Sequence, residues 1–274
     1  MAGARIVRTI AFAAGSIGGL SGAAYGLLNG QGRRAHSIIT GHSHLPLNAD
    51  GVYLPDGAGP FLTSDRAALT FAMLGDSLAA GVGAECCDRL PGVLLAKGLA
   101  EEAGRPVRLV THAISGSRTH DLAAQVDRAL INPPDLALVI IGGNDVTARS
   151  RIATSAVVLA HDVGRLVAAG TTVVMATCPD LGAVQPIPQP LRELTRRFSL
   201  ALARAQRRAM DLIGVTTVSL ADLVSPEFQA RPDELFSPDR FHPNGAGYEF
   251  AANVLLHSLC QAATRVTKRM PVAA

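Results

Sequence analysis

Short apolar runs rich in branched residues alternate along this chain with longer stretches of helical spacing, and this alternation constrains the fold more than any other feature. A strand buried on both faces of a parallel sheet needs a continuous apolar run, so each run is a predicted strand. The five runs are Leu69–Leu74, Val107–Thr111, Leu136–Gly142, Thr171–Thr177 and Gly214–Leu220. The stretches of helical spacing lie near Asp88–Ala103, Thr119–Leu130, Ser155–Ala169, Leu191–Leu212 and Gly245–Thr267. This order predicts an α/β fold, with a parallel five-stranded sheet covered by helices on both faces.

In a sheet of this kind ligands bind beyond the carboxyl ends of the strands, so the residues just after each run are the candidates for function. The first run is followed by Gly75-Asp76-Ser77-Leu78 and then by a glycine-containing turn around Gly81, which predicts an exposed Ser77. A serine hydroxyl is a poor nucleophile on its own. It needs a base that takes its proton and donors that hold the oxyanion formed when it attacks a carbonyl group.

Candidate donors follow the second and third runs. After the second run comes Ser115-Gly116-Ser117, where a glycine lets a backbone N–H approach a ligand without an intervening side chain. After the third run comes Gly142-Gly143-Asn144-Asp145, which places the uncharged amide of Asn144 at the strand tip. Gly116 and Asn144 are therefore the predicted oxyanion donors, together with the backbone N–H of Ser77.

A candidate base and its orienting acid lie near the end of the chain. Asp239 and His242 stand three residues apart in one short segment. In such an arrangement His242 takes the Ser77 proton through one ring nitrogen, while Asp239 accepts a hydrogen bond from the other and stabilises the imidazolium. The predicted catalytic residues are thus Ser77, Asp239 and His242.

Each of these residues also has a purely structural interpretation. Ser77 and Asp239 could cap helices, Asn144 could close a turn, and His242 could lie in the core. The occurrence of all of them, in order and at strand ends, favours catalysis. For Asp76 and Asp145, which adjoin catalytic positions, local structural roles are predicted.

These residues, in this order, resemble the SGNH hydrolase family, also called GDSL esterases and lipases. The resemblance covers about Leu69–Thr267. It implies a flavodoxin-like three-layer α/β/α fold and hydrolysis of acyl esters through a covalent acyl-serine, with no metal or organic cofactor. It also implies Ser77 as nucleophile, Asp239 and His242 as the rest of the triad, and an oxyanion hole formed by Ser77, Gly116 and Asn144.

The predicted function is therefore that of a serine esterase acting on small-molecule or lipid esters, with short acyl chains expected because no long apolar lid is evident. The nearest alternative is an acyltransferase or thioesterase that uses the same triad. A binding protein without turnover, or a flavin-binding module on fold analogy alone, are further alternatives.

The amino-terminal region predicts an association with a membrane. Arg5 and Arg8 precede an uncharged run of 24 residues, Thr9–Gly32, and at 1.5 Å per residue this run is long enough to cross a hydrocarbon core about 30 Å thick. Residues 1–34 are predicted to be an uncleaved anchor or a cleaved signal peptide, with the catalytic domain outside the cytoplasm; a buried helix is a third interpretation. The resemblance points the same way, towards secreted or membrane-anchored actinobacterial members.

The remaining segments complete the predicted organisation. Residues 35–68 contain three prolines and no sustained period, which is typical of a linker or a strapping segment, and 69–268 form the predicted hydrolase domain with a tail at 269–274. His42 and His44 in the linker have no further ligand nearby, so no metal site is predicted.

Charge and cysteine content exclude other classes. A net charge of +3 is too small for a protein whose affinity rests on neutralising many phosphates, so no nucleic-acid partner is expected. The four cysteines include the neighbours Cys86 and Cys87, one of which could pair with Cys178 or Cys260 in an oxidising compartment. Free thiols are the other interpretation, and the sequence leaves the oligomeric state open.

Overall fold

The computed structural model describes residues 26–32, 34 and 47–269. They contain a six-stranded sheet in the order β1-β3-β2-β4-β5-β6. The strands are β1 (Gly51–Tyr53), β2 (Leu69–Gly75), β3 (Val107–Thr111), β4 (Leu136–Ile140), β5 (Thr172–Ala176) and β6 (Thr216–Val218). Strands β2 to β6 are parallel, and their order is that of the flavodoxin-like class.

Helices cover both faces of the sheet. In the part of the chain described they are α1 (Ser77–Ala80), α2 (Pro91–Ala103), α3 (Leu122–Ile131), α4 (Gly143–Thr147), α5 (Ile152–Ala168), α6 (Leu191–Leu212), α7 (Leu220–Leu223), α8 (Ser225–Ala230), α9 (Pro232–Leu235) and α10 (Gly245–Arg269). Single 3₁₀ turns occur at Cys87–Arg89, Thr119–Asp121 and Leu181–Ala183.

The central strands supply two cores because successive side chains of a strand point to opposite faces. In β4, Leu136, Leu138 and Ile140 pack with residues of α2 and α10, whereas Ala137 and Val139 pack with residues of α3, α5 and α6. All five β4 residues are buried. This double burial explains why the apolar runs in the sequence are continuous and do not alternate with polar residues.

The prediction of a purely parallel five-stranded sheet is corrected in one respect. A sixth strand, β1, pairs with β3 in the antiparallel direction, so the sheet is mixed. Only three residues long and set among prolines and glycines, β1 lacks the apolar run that marks the other strands. It lies in the segment predicted to be a linker or strap, where Val52 also forms a bridge with Phe61.

The predicted amino-terminal helix lies mostly outside the described residues. Residues 26–32, at the end of the uncharged run, are helical, and the Gln31 side chain donates to the Gln189 carbonyl (2.7 Å) and accepts from the Leu191 N–H (3.3 Å). Among the described residues no helix is both long and apolar enough to span a bilayer. Most of the predicted anchor at residues 9–32, His42 and His44 of the linker and the tail beyond residue 269 lie outside the described residues.

Candidate active site

Ser77 stands at the point where the chain leaves β2 for α1. Gly75, the last residue of β2, has φ +137°, and a Cβ atom there would lie 1.8 Å from the carbonyl oxygen of Ile140 in β4. The absence of a side chain therefore lets β2 and β4 approach closely while the chain turns sharply. β3 lies on one side of β2 and β4 on the other, so the order in which parallel strands are added to the sheet reverses here. In open α/β sheets ligands bind at such a point.

His242 connects Ser77 to Asp239. The Ser77 Oγ atom is 2.9 Å from Nε2 of His242, and Nδ1 of the same ring is 2.6 Å from Oδ2 of Asp239. All three residues are buried; Ser77 is only 7% exposed, so the prediction of an exposed serine was wrong. The ring of Phe241 packs edge-on against the imidazole, with ring centroids 4.8 Å apart, and this contact restrains the ring orientation.

Asp239 is held as a carboxylate by its own segment. Its Oδ1 atom accepts hydrogen bonds from the Ser237 hydroxyl (2.8 Å) and from the backbone N–H groups of Phe241 (2.8 Å) and His242 (2.9 Å). Burial alone would raise the pKa of this carboxyl, but the hydrogen bond and charge of His242 and the two N–H groups outweigh burial and lower the pKa to about 2. A negative charge is therefore present beside Nδ1 at neutral pH.

Asn144 and Ser77 line one and the same cavity. One N–H of its side-chain amide donates to the Ser117 carbonyl oxygen at 3.0 Å. An amide carries two N–H bonds, so the second is left for a ligand. Gly116 lies in the exposed turn from Ile114 to Ser117, with φ +86° and open space where a Cβ would be.

Asp76 occupies the space between the turns that follow β2 and β4. Its Oδ1 atom accepts from the Leu78 N–H (3.0 Å) and its Oδ2 atom accepts from the Gly142 N–H (3.3 Å). Burial raises the pKa of Asp76 to about 6, although these N–H groups and the charge of His242 act to lower it. These contacts fit the local structural role predicted from the sequence.

Asp145 fixes the loop that carries Gly116. It accepts hydrogen bonds from the N–H and hydroxyl of Thr119 (2.8 and 3.0 Å) and from the Ser155 hydroxyl (2.9 Å). This buried carboxylate thus joins α4 to the turn before α3, again in agreement with the predicted structural role.

Two buried glutamines were missed by the sequence analysis. Gln125 of α3 accepts from the Gly75 N–H (2.7 Å) and donates to the Gly75 carbonyl (2.8 Å) and the Ser117 hydroxyl (3.1 Å). Gln206 of α6 accepts a hydrogen bond from the Cys178 N–H, just beyond β5, and donates one to the Ile141 carbonyl, just beyond β4. The available signal was an amide on an otherwise apolar helix face, because a buried amide requires backbone partners.

A cavity opens at Ser77 and continues towards the core. It has a volume of about 90 Å³. One end of it is formed by the polar residues Asp76, Ser77 and Asn144, and the other lining residues are mostly apolar. Such a cleft, apolar with a few converging polar groups, suits an ester whose hydrocarbon part is buried while its carbonyl group meets the serine.

None of the four cysteines contributes to this site. All four cysteines are free thiols, which is one of the two interpretations that the sequence left open. Burial raises the pKa of the Cys178 thiol well above its ordinary value, which keeps it protonated and unreactive. Within the described ranges, no group of three histidine, cysteine, aspartate or glutamate side chains could hold a metal ion.

The chain is similar in sequence to known proteins. The GDSL-like lipase/acylhydrolase family model matches residues 73–250. A GDSL-like esterase of Mycobacterium tuberculosis is 41% identical over 265 residues, which cover 93% of this chain and 84% of that protein.

Solved structures share the fold at low identity. A variant of an acetyl-xylooligosaccharide esterase from Geobacillus stearothermophilus has a TM-score of 0.57 at 18% identity, covering 69% of this chain and 93% of that one. A hydrolase from the metagenome of Lake Arreo, Spain, has a TM-score of 0.56 at 24% identity, covering 71% and 97%. A lipase/acylhydrolase from Enterococcus faecalis has a TM-score of 0.55 at 18% identity, covering 70% and 95%.

Proposed function

The chain belongs to the GDSL-like lipase/acylhydrolase family and is a carboxylic ester hydrolase, and from this we propose that it is a serine esterase whose nucleophile is Ser77. The observation that carries the proposal is the continuous hydrogen-bonded row Ser77–His242–Asp239, with 2.9 and 2.6 Å between successive partners. A nucleophile, a base within hydrogen-bond reach and a group that orients the base are the parts that acyl transfer by serine requires.

In the proposed first half-reaction, Ser77 Oγ attacks the ester carbonyl carbon while Nε2 of His242 takes its proton. The charge of Asp239 stabilises the imidazolium that forms, and its hydrogen bond keeps Nδ1 protonated before the attack. The oxyanion receives hydrogen bonds from the backbone N–H of Ser77, the free N–H of Asn144 and the backbone N–H of Gly116. His242 then returns the proton to the departing alcohol, which leaves an acyl-Ser77.

In the second half-reaction water takes the place of the alcohol. His242 removes a proton from the water molecule, which attacks the acyl carbon, and the same donors hold the second oxyanion. Collapse of this intermediate returns the proton to Ser77 Oγ and releases the carboxylic acid. Every proton is carried by residues of this chain, so the scheme needs no cofactor.

The test of this proposal is Ser77→Ala. We expect kcat for p-nitrophenyl acetate to fall by roughly a thousandfold or more, because no covalent intermediate can form. A fluorophosphonate probe should label the parent protein and leave Ser77→Ala unlabelled. The control is Ser258→Ala, a serine on α10 away from the site, which should keep the parent rate and labelling. Equal turnover by the parent and Ser77→Ala would refute the assignment.

We also propose that the enzyme acts outside the cytoplasm, held at a membrane by residues 9–32. Support comes from the sequence alone: the uncharged run of 24 residues has the length of a bilayer span and follows a short basic tail.

A further inference from the structure

The cavity at Ser77 has a deep end that the catalytic groups do not use. Its lining there comes from α2, from the segment α7–α9 and from α10. The deep residues are apolar: Leu95, Leu220, Val224, Phe228, Phe236, Ala252 and Leu255. Each of them belongs to the buried core between these helices and the sheet, so the cavity extends inward from the surface.

The arrangement of the helices gives the depth of the cavity. α2 and α10 both begin near the catalytic residues at the carboxyl edge of the sheet and pack along its face. On α10, cavity-lining residues extend from Tyr248 to Leu255, and seven residues at 1.5 Å each correspond to about 10 Å. A saturated chain gains about 1.25 Å per carbon from bonds of roughly 1.5 Å, so about eight carbons span this distance.

The volume points the same way. The cavity has a volume of about 90 Å³ for the centres of water-sized groups, so it holds several such groups and not one alone. An acetyl group, with a single methyl beyond its carbonyl carbon, would leave most of this space empty.

Polar groups near the cavity are already engaged. The Tyr248 hydroxyl donates to the Val82 carbonyl (2.7 Å), and the Ser225 hydroxyl accepts from the Asp180 N–H (2.9 Å) and donates to the Leu220 carbonyl (3.2 Å). The Asp180 carboxylate accepts from Arg196 and Gln229. A hydroxyl or a charge on the acyl chain would find no partner at the deep end, and its burial would be costly.

We propose that this cavity is the acyl-binding site and that it selects apolar acyl groups of hexanoyl to octanoyl length. The proposal rests on the proposed function, since it takes Ser77 as the nucleophile. It revises the expectation of short acyl chains, which was based on the lack of a lid in the sequence. The walls of the cavity come instead from several separate segments, namely α2, residues 179–184 after β5, α7–α9 and α10, whose convergence no single stretch of sequence displays.

The first experiment is a chain-length profile with the full-length protein. Values of kcat/KM are measured for p-nitrophenyl acetate, butyrate, hexanoate, octanoate, dodecanoate and palmitate. Each buried methylene should raise kcat/KM roughly threefold to fourfold until the cavity is full. We expect a maximum at hexanoate or octanoate and a decline beyond it. A maximum at acetate would overturn the inference.

The second experiment fills the cavity. Ala252→Leu places a larger side chain at the deep end, and Ala251→Leu does so at a half-buried lining position that tolerates substitution more easily. Each should lower the ratio of octanoate to acetate turnover by at least about tenfold, since roughly two methylene positions are lost. The matched control, Asn253→Leu, adds the same side chain on the exposed side of α10 and should leave the ratio unchanged. An unchanged ratio in both lining variants would contradict the proposal.

Fluorophosphonate labelling distinguishes a failure of the acyl-length inference from a failure of the proposed function. If Ser77 is labelled and acetate is nevertheless the best ester, the acyl-length inference fails while the proposed function stands. If no ester is cleaved and Ser77 is not labelled, the proposed function fails and the inference fails with it.

Discussion

Asp76 is a buried carboxyl group between the turns that carry Ser77 and Asn144. Its two oxygens accept hydrogen bonds from N–H groups of both turns, so it joins the turn of the proposed nucleophile to that of the proposed oxyanion donor. Burial is nevertheless costly for its charge, and this cost raises the pKa to about 6. Asp76 therefore aligns the two strand ends at a cost in the stability of the folded protein.

Replacement of Asp76 by Asn should change how stability depends on pH. Between the unfolded pKa of about 3.9 and the folded value of about 6, the folded protein keeps a proton that the unfolded chain has lost, so stability falls as the pH rises. Relative to Asp76→Asn, the parent should lose about 3 kcal/mol of unfolding free energy across this window and show no further change from this group above it. Urea unfolding of both proteins at several pH values measures the difference. A difference that is constant with pH would contradict this account.

At the scale of elements, the sharp exit from β2 places Ser77. Gly75 is required there for two reasons, a positive φ and the closeness of the Ile140 carbonyl. Gly170, at the end of α5, offers a natural comparison: its φ is +93°, but no atom lies within 4 Å of the position where a Cβ would stand. Alanine substitutions at these two glycines therefore separate the cost of a positive φ from the cost of a steric collision.

Gly170→Ala should cost about 1–2 kcal/mol of unfolding free energy, the usual penalty for a side chain at positive φ. Gly75→Ala should cost more than about 4 kcal/mol or prevent soluble expression, because β2 and β4 would have to separate. Urea denaturation, or solubility where the variant does not fold, measures both. Similar losses of unfolding free energy in the two variants would show that collision with the Ile140 carbonyl adds no cost of its own.

At the scale of the whole molecule, the uncharged run at residues 9–32 should determine where the enzyme resides. We expect the full-length protein to sediment with membranes and to be released by detergent but not by high salt. Lysine at both Ile17 and Leu20 should shift it to the soluble fraction, since each charge at the centre of a span costs roughly 3 kcal/mol. Lysine at both Ile38 and Ile39, just beyond the run, is the control and should leave the distribution unchanged. Recovery of the parent in the soluble fraction would count against an anchor.

Much of the molecule follows from the sequence because its signals are local. A strand buried on both faces must be apolar throughout, so β2, β3, β4 and β5 were predicted to within two residues at each end. α6 was predicted with both its ends correct, since its apolar stripe is interrupted by no proline or glycine. The site residues could be proposed for the same reason: each stands directly after a predicted strand or within one short segment.

Tertiary structure alone decided the rest. β1 is defined by its pairing with β3 and has no apolar run of its own, and the roles of Gln125 and Gln206 depend on backbone groups that are distant in sequence. The cavity at Ser77 is the clearest case, since its walls come from α2, residues 179–184, α7–α9 and α10. Hydrophobic burial is non-directional, so a sequence shows which side chains leave water but not which of them meet or what space they leave between them.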